Sequence, residues 1–203
     1  MVKNIIFDLG GIIFTIDNAQ AIRRFKEIGL ESADKQLDPY RHSGYFGDLE
    51  SGKISAEEFR QKLSQDIGHT VTFEECRYAW TGYVKDLPQA NLDQLVSLRH
   101  DGYRILLLTN TNPFMMNWAE SKEFDGHGHP LSYYFDATYK SYLMKLMKPD
   151  KKCFQHLLSH ERITPDNSLF VDDSPRNISV ASELGLHTYC PANGTDWVNK
   201  IGD

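Results

Sequence analysis

The sequence of 203 residues lacks the marks of several protein classes. It has no apolar run near the roughly 18 residues that a membrane-spanning helix needs, so a membrane protein is excluded. It also lacks an excess of positive charge, because 22 Lys and Arg stand against 28 Asp and Glu, for a net charge of −6. A general nucleic-acid-binding protein would more often be basic. We therefore expect neither a membrane nor a nucleic acid as a partner, and no protein partner is indicated.

Cysteine is scarce as well. The three cysteines are Cys76, Cys153 and Cys190, which are widely spaced and odd in number. This excludes a disulfide framework and a cysteine-based zinc site. Residues 1–7 carry one Lys and lead directly into a motif, without the layout of a signal peptide. We expect a cytoplasmic protein with three reduced thiols.

Strand-like and helix-like segments alternate through most of the chain, which predicts an α/β fold with a three-layer, Rossmann-like parallel sheet. The strand-like runs are continuously apolar, as is typical of strands covered on both faces. The predicted strands are residues 4–8, 104–109, 168–173 and 186–190, and the predicted helices between them are residues 91–100, 149–160 and 175–184.

Residues 15–85 have a different character, because they are helical and polar and show no convincing strand. Ser55 with Glu58 and Thr72 with Glu75 have the spacing of capping boxes, which open helices. Asp17 has the position of an N-cap for a further amphipathic helix. We predict a small helical cap over residues 15–85, inserted into a core formed by residues 1–14 and 86–203.

Three of the predicted strands end in reactive side chains, and in one case the next residue is reactive as well. They are Asp8, Thr109, Asn110, Asp172 and Asp173. Ligands of open α/β sheets bind at the carboxyl ends of the strands, so these groups are expected on one rim. Lys148, which precedes Pro149 and a helix, would bring an ammonium group to the same rim.

Three carboxylates on one rim repel one another and need a cation to be ionised together at neutral pH. Oxygen ligands favour a hard ion, and Mg²⁺ is the default choice. A magnesium ion beside a lysine ammonium is a natural receptor for a phosphate dianion. The sequence therefore predicts a Mg²⁺-dependent site for a phosphorylated small molecule.

Four motifs in this order and spacing resemble the haloacid dehalogenase-like hydrolase superfamily, in the subfamily with a small helical cap after the first strand. The motifs are Phe7-Asp8-Leu9-Gly10-Gly11, Leu107-Leu108-Thr109-Asn110, Lys148-Pro149 and Val171-Asp172-Asp173-Ser174-Pro175-Arg176-Asn177. The run 110–112 and the cap segment from Glu50 through Gly52 to Ser55 look similar to the branch of bacterial α-glucose-1-phosphate phosphatases. The resemblance covers nearly the whole chain.

The resemblance implies a role for each motif. Asp8 would attack phosphorus and form an aspartyl-phosphate, which water then hydrolyses. Thr109 would hydrogen-bond the phosphoryl group, and Lys148 would orient Asp8 and offset its charge. Asp8, Asp172 and Asp173 would hold Mg²⁺ directly or through water. The expected substrate is a sugar phosphate such as a hexose 1-phosphate.

One position departs from the pattern. Phosphatases of the family usually carry a second Asp two residues after the nucleophile, where this chain has Gly10. The backbone carbonyl of Gly10 can still serve the metal, and we place Gly10, Gly11 and Asn110 at the phosphate. The acid–base role is lost, and such catalysis is worth about 10²–10⁴-fold. Either another acid such as Asp17 replaces it, or the leaving group needs little help, or turnover is slow.

Two other functions stay open at this stage. A non-catalytic protein that binds a phosphorylated ligand would explain Gly10, and also Asn177, where many members carry Asp. A 2-haloacid dehalogenase would also lack the second Asp, but it would leave the acidic pair at 172–173 unexplained.

Several further side chains allow a functional interpretation but favour a structural one. Arg41, His42, Tyr45 and Phe46 in the cap could contact a substrate. His127 and His129 resemble a metal pair but lie in a Gly- and Pro-containing loop without a third ligand nearby. Residues 133–135 are expected to be apolar core or a strand.

Overall fold

A parallel five-stranded sheet forms the centre of the molecule in the computed structural model, which describes residues 1–37, 42–198 and 200–201. In chain order, the described strands are β1 (Asn4–Phe7), β2 (Thr15–Ile16), β3 (Val84–Asp86), β4 (Arg104–Thr109), β5 (Ala137–Lys140), β6 (Ser168–Val171) and β7 (His187–Tyr189). Of these, β2 and β3 lie outside the central sheet. The sheet has the order β5-β4-β1-β6-β7, and all its neighbours are parallel. The predicted α/β fold and four of its strands are confirmed.

Helices cover both faces of this sheet and form the segment between β2 and β3. They are α1 (Asn18–Glu27), α2 (Ala33–Gln36), α3 (Gly44–Glu50), α4 (Ala56–Ile67), α5 (Phe73–Trp80), α6 (Gln89–His100), α7 (Pro113–Ala119), α8 (Ser141–Met144), α9 (Lys151–Glu161) and α10 (Pro175–Glu183). Both predicted capping boxes are present, at the starts of α4 and α5. Among the described residues, none of the helices combines the length and apolar character needed to cross a membrane.

The sequence prediction missed β5, the edge strand. Only one of its four residues, Tyr139, is buried, so the segment lacks the continuous apolar run that reveals the central strands. Residues 133–135 do not form a strand. Leu131–Tyr134 is a short 3₁₀ turn, with Tyr134 and Phe135 buried and Tyr133 exposed.

A short antiparallel ribbon connects the sheet to the helical segment. It is formed by β2 and β3, where Ile16 pairs with Val84. The expectation that residues 15–85 contain no strand is therefore wrong at both ends of that range, because two- and three-residue strands give too little pattern to detect. We infer that this ribbon marks the boundary between core and cap.

Alternating side chains of the strands build two apolar layers. Ile5 and Phe7 face one side, where they join the cluster that includes α6, α7 and helices of the segment between β2 and β3. Ile6 faces the other side, together with Phe154 of α9 and Ala181 of α10. All of these side chains are at most 1% exposed, which explains why the interior positions of β1 are apolar on both faces of the sheet. The result is the predicted three-layer arrangement.

Aromatic rings hold the helical segment together and attach it to the sheet domain. Phe25, Phe46, Phe59 and Trp80 pack with ring centroids 5.0–6.0 Å apart, several of them edge to face. Phe114 of α7 lies 5.5 Å from Phe59 across the junction. Such pairs add about 0.5–1.5 kcal/mol each to the burial of their surface.

A second junction lies at the end of α3. The Ser141 hydroxyl donates to the Glu50 carbonyl oxygen at 2.7 Å and accepts from the Thr111 amide at 2.9 Å. Next to it, a Cβ added to Gly52 would lie 2.1 Å from the carbonyl oxygen of Tyr142. The two backbones therefore approach so closely that only glycine fits there.

Replacing Gly52 with Ala is expected to force these backbones apart. Gly52 has φ +67°, and Gly68 has φ +87° with no atom near its Cβ position, so Gly68→Ala measures the strain alone. We expect a loss of about 1–2 kcal/mol in the free energy of unfolding for Gly68→Ala, and a further 1–3 kcal/mol or so for Gly52→Ala. Urea unfolding of both variants checks this, and equal losses would contradict the close approach.

Candidate active site

The side chains at the carboxyl ends of the three central strands meet at one edge of the sheet. Because β1 lies between β4 and β6, Asp8, Thr109 and Asp172 come to the same rim. Thr109 and Asp172 are buried there, at 3% and 0% exposure. Among the described residues, the Thr109 hydroxyl donates in one long contact, 3.4 Å, to the Asn110 carbonyl oxygen. Such a contact is weak enough for the hydroxyl to turn toward a ligand.

The Lys148 ammonium joins two of the carboxylates. Its Nζ lies 2.7 Å from Asp8 Oδ1 and 2.7 Å from Asp172 Oδ2. Burial alone would lower the pKa of Lys148, but the two carboxylates outweigh it and hold the pKa above its ordinary value. Lys148 is therefore held in its charged form between the two carboxyl groups.

Asn110 holds the backbone of Lys148 in place. The Asn110 amide donates to the Lys148 carbonyl oxygen at 2.9 Å, and its carbonyl oxygen accepts from the Lys148 amide at 2.9 Å. Because both polar atoms of the Asn110 side chain are engaged in this way, its backbone N–H is the group that could contact a phosphate.

Asp172 is enclosed by donors on all sides. Its Oδ1 accepts from the Ser174 amide at 2.8 Å and from Asn177 Nδ2 at 3.0 Å, and its Oδ2 accepts from Asn177 at 3.0 Å and from Lys148. At Asn177, where many family members carry Asp, the side-chain amide donates to both oxygens of Asp172. Both oxygens of Asp172 are engaged, so this carboxylate is better suited to orienting Lys148 than to binding a metal directly.

Three carboxylates come close enough to share a cation. Oxygens of Asp8, Asp172 and Asp173 lie within 4.8 Å of one another. Burial raises the pKa of Asp8 to about 7; Lys148 opposes this rise, and the two neighbouring carboxylates add to it. Burial, followed by repulsion from Asp172, raises the pKa of Asp173 to about 6. One lysine therefore leaves this cluster short of positive charge, and a hard divalent cation fits its oxygen donors.

The two glycines after Asp8 allow the cluster to close. A Cβ on Gly11 would lie 2.3 Å from Asp173 Oδ2, and Gly11 has φ +80°, so only glycine fits beneath that carboxylate. A Cβ on Gly10 would lie 2.9 Å from the Ile16 side chain. The space in which an acid at position 10 would begin is therefore partly filled by Ile16.

A cavity of about 730 Å³ opens above this rim. Its floor includes Asp8, Thr109, Lys148 and Asp173, and the helical segment supplies the opposite wall. The described residues of that wall include His42, Asp48, Glu50, Lys53, Trp80 and Tyr83.

Sequence reasoning named His42 only as one of several cap candidates and missed Trp80 and Tyr83. Their aromatic rings at helical spacing are indistinguishable from core residues, and no local signal separates them. Arg41 lies outside the described residues. Tyr45 turns its hydroxyl to Asp66 at 2.8 Å, and Phe46 is fully buried in the aromatic cluster.

The remaining candidates have structural contacts. Asp17 caps α1 by accepting from the Gln20 amide at 2.9 Å. His127 and His129 belong to a loop organised by the buried Asp125, which accepts from both backbone amides and lies 2.7 Å from His129 Nδ1. Among the described residues, the cluster that could hold a metal ion consists of Asp8, Asp172 and Asp173, and it includes neither histidine.

Comparison with known proteins gives a consistent family. The chain matches the haloacid dehalogenase-like hydrolase family over residues 2–185. It is 43% identical over 201 residues to a D-ribitol-5-phosphate phosphatase of Bacteroides thetaiotaomicron. The aligned region covers 99% of this chain and 97% of the relative.

Solved structures agree with this match. A HAD-like family hydrolase from Porphyromonas gingivalis superposes with a TM-score of 0.94 at 40% identity, over 99% of this chain and 96% of that one. A HAD family enzyme from B. thetaiotaomicron, in complex with magnesium and inorganic phosphate, superposes with a TM-score of 0.89 at 33% identity over the full length of both chains.

Proposed function

The chain belongs to the haloacid dehalogenase-like hydrolase family, and we propose that it is a Mg²⁺-dependent phosphatase of a small phosphorylated polyol or sugar. One observation carries the proposal. Lys148 lies between Asp8 and Asp172 at 2.7 Å from each, with Asp173 in the same oxygen cluster. This arrangement provides a nucleophile, a fixed ammonium and a cation site within one rim.

The residues of the rim divide the reaction into two displacements. A carboxylate oxygen of Asp8 attacks phosphorus, the bond from phosphorus to the substrate oxygen breaks, and the leaving alkoxide takes up a proton from water. Water then attacks the aspartyl-phosphate, which releases inorganic phosphate and restores Asp8. Lys148 and the Thr109 hydroxyl bind phosphoryl oxygens as charge moves onto them.

The metal site follows from the same electrostatics. Asp8 and Asp173 are the carboxylates with room for a cation, because the oxygens of Asp172 are engaged by Lys148, Ser174 and Asn177. The backbone carbonyl of Gly10 is the third protein ligand that we propose. Bound Mg²⁺ would supply positive charge that keeps Asp8 ionised and balances the phosphate.

The relative named for D-ribitol 5-phosphate makes that compound the first substrate to test. The resemblance to α-glucose-1-phosphate phosphatases is not supported by these comparisons at the level of the substrate. A terminal phosphate of an open polyol has an alkoxide leaving group that is less acidic than an anomeric hydroxyl. The chain must therefore release it without an acid at Gly10.

Phosphate release from a panel of phosphorylated compounds tests the proposal. D-ribitol 5-phosphate, hexose 1- and 6-phosphates, nucleotides and p-nitrophenyl phosphate are compared in Mg²⁺ and in EDTA. We expect release from polyol or sugar phosphates that falls by about 10²-fold or more in EDTA, because the metal's charge stabilisation is worth several kcal/mol.

The alternatives give different results in the same assay. Binding of Mg²⁺ and phosphate without release from any compound would favour a non-catalytic protein. Metal-independent release of chloride from 2-chloropropionate, without phosphate release, would favour a dehalogenase. Either result contradicts the proposed phosphatase.

A further inference from the structure

One charged residue of the cavity lining has no part in the chemistry described so far. Arg176 lines the cavity and is exposed. It is the second residue of α10 and belongs to the motif at 171–177. The other polar groups of that motif have assigned contacts, because Asn177 donates to Asp172 and Asp173 belongs to the carboxylate cluster. The position of Arg176 on the cavity is therefore the part of the motif that still needs an explanation.

Arg176 differs from the other described cations of the lining. Lys148 lies 2.7 Å from each of two carboxylates, and Lys53 lies 3.4 Å from Asp48. Within the part of the chain that the structure describes, Arg176 forms neither a hydrogen bond nor an ion pair. A guanidinium group has several N–H donors and no acceptor. The donors of Arg176 are thus available to oxygen atoms of a molecule in the cavity.

Helix stability does not account for a cation at this position. The N-terminal end of a helix is the positive end of its dipole, so a cation in the first turn is unfavourable. The first turn of α10 contains no acidic residue that would compensate. Asp150, an exposed acid of the lining, is engaged elsewhere, because it accepts from the Lys152 amide at 2.9 Å as the N-cap of α9. A ligand explains Arg176 better than the fold does.

The backbone around Arg176 is fixed relative to the rim. The Ser174 amide donates to Asp172 Oδ1 at 2.8 Å, and Asn177 Nδ2 donates to both oxygens of Asp172 at 3.0 Å. Arg176 lies between these two residues in the chain, so the buried carboxylate that binds Lys148 also holds the start of this side chain. The guanidinium pairs with neither Asp8 nor Asp173, so it lies apart from the carboxylates that we assign to the metal.

We propose that Arg176 is a specificity-determining residue that binds oxygen atoms of the leaving group. This inference rests on the proposed phosphatase function and deepens it. The planar guanidinium donates two parallel hydrogen bonds to neighbouring oxygen atoms. Adjacent hydroxyl groups of a polyol provide such a pair, and so does a carboxylate, whereas a hydrocarbon chain provides none. Arg176 therefore selects phosphate esters with an oxygen-rich leaving group over alkyl phosphates.

The test compares kcat/KM for D-ribitol 5-phosphate and n-pentyl phosphate, which have the same number of carbons. Wild type is expected to prefer ribitol 5-phosphate. Arg176→Met keeps the apolar stem and removes the donors. It should lower kcat/KM for ribitol 5-phosphate by about 10- to 100-fold, the worth of hydrogen bonds to a charged group, and change that for pentyl phosphate by no more than about twofold. Thermal unfolding should show that the exposed substitution leaves the fold intact.

Two further variants separate recognition from a general charge effect. Arg176→Lys keeps the charge without the planar fork, so it should recover only part of the preference for ribitol 5-phosphate. Arg23→Met removes an exposed cation of α1 outside the cavity lining, and it should change neither substrate. The loss in Arg176→Met should appear mainly as a higher KM, because the leaving group is bound in the ground state as well as in the transition state.

A third substrate identifies the source of the oxygen atoms. D-ribonate 5-phosphate carries a carboxylate at the end of the chain where ribitol 5-phosphate carries a hydroxyl group. A selective loss for both compounds in Arg176→Met supports recognition of hydroxyl groups that the two share. A selective loss for the ribonate alone supports recognition of the carboxylate, again by Arg176.

Other outcomes would overturn the inference. Arg176→Met that lowers kcat for all three substrates equally would mean that Arg176 acts on the phosphoryl group. No loss for any of them would mean that it does not contact the substrate. In both cases the phosphatase function stands. Wild type that releases phosphate from none of these compounds, nor from p-nitrophenyl phosphate, would overturn both proposals.

Discussion

Replacing Asp8 with Asn is expected to lower phosphate release by about 10⁴-fold or more, the scale of losing a covalent nucleophile. The amide nitrogen lacks the charge needed to attack phosphorus. Its amide oxygen can still accept from Lys148, which lies 2.7 Å from Asp8 Oδ1, so the rim should keep its geometry. Steady-state kinetics with the best substrate of the panel measures the loss.

Two controls distinguish loss of the chemical step from loss of folding or of ligand binding. Thermal unfolding should show that Asp8→Asn is folded, and phosphate binding with Mg²⁺ should persist. Asp17→Asn should keep the wild-type rate. The Asp17 carboxylate accepts a hydrogen bond from the Gln20 amide, and Asn is an equally good N-cap for α1. A large loss in Asp17→Asn would instead support Asp17 as the acid that replaces the one missing at Gly10.

Replacing Lys148 with Met should damage activity and stability together. The rate should fall by about 10³-fold, because a preorganised cation at the phosphoryl oxygens is removed. The free energy of unfolding should fall by about 3–5 kcal/mol, because Asp172 is fully buried and would lose the ammonium 2.7 Å from its Oδ2. Kinetics and urea unfolding measure the two effects separately.

A double variant separates these two roles of Lys148. Asp172→Asn removes the buried charge, so Lys148→Met with Asp172→Asn should recover much of the stability but little of the rate. Lys151→Met, which breaks an exposed pair with Glu183, should cost no more than about 1 kcal/mol and no activity. If the double variant recovered the rate, Lys148 would act only through folding.

The sequence made the rim predictable for a topological reason. Each of Asp8, Thr109 and Asp172 follows a continuous apolar run, and parallel strands place the residues after such runs on one edge. Asn110 shows the limit of this reasoning. Its chemistry suggested a phosphate contact, but its side chain holds the Lys148 backbone, and nothing in the local sequence distinguishes the two roles.

The residues of the helical segment that line the cavity could not be recognised from the sequence, for a different reason. His42 and Tyr83 are 41 positions apart and meet only because α3 and the turn before β3 pack on the same aromatic cluster. The edge strand β5 and the β2–β3 ribbon were missed because they are short and only partly buried. Long-range packing and short, exposed pairing both lack a periodic signal.

The central claim is that Asp8 becomes phosphorylated during turnover. Rapid acid quenching of the enzyme with Mg²⁺ and its best substrate, followed by peptide mass spectrometry, tests this directly. The account predicts a phosphate group on Asp8 in wild type and none in Asp8→Asn. Phosphate carried by another side chain during turnover, or an Asp8→Asn variant that releases phosphate at the wild-type rate, would contradict it.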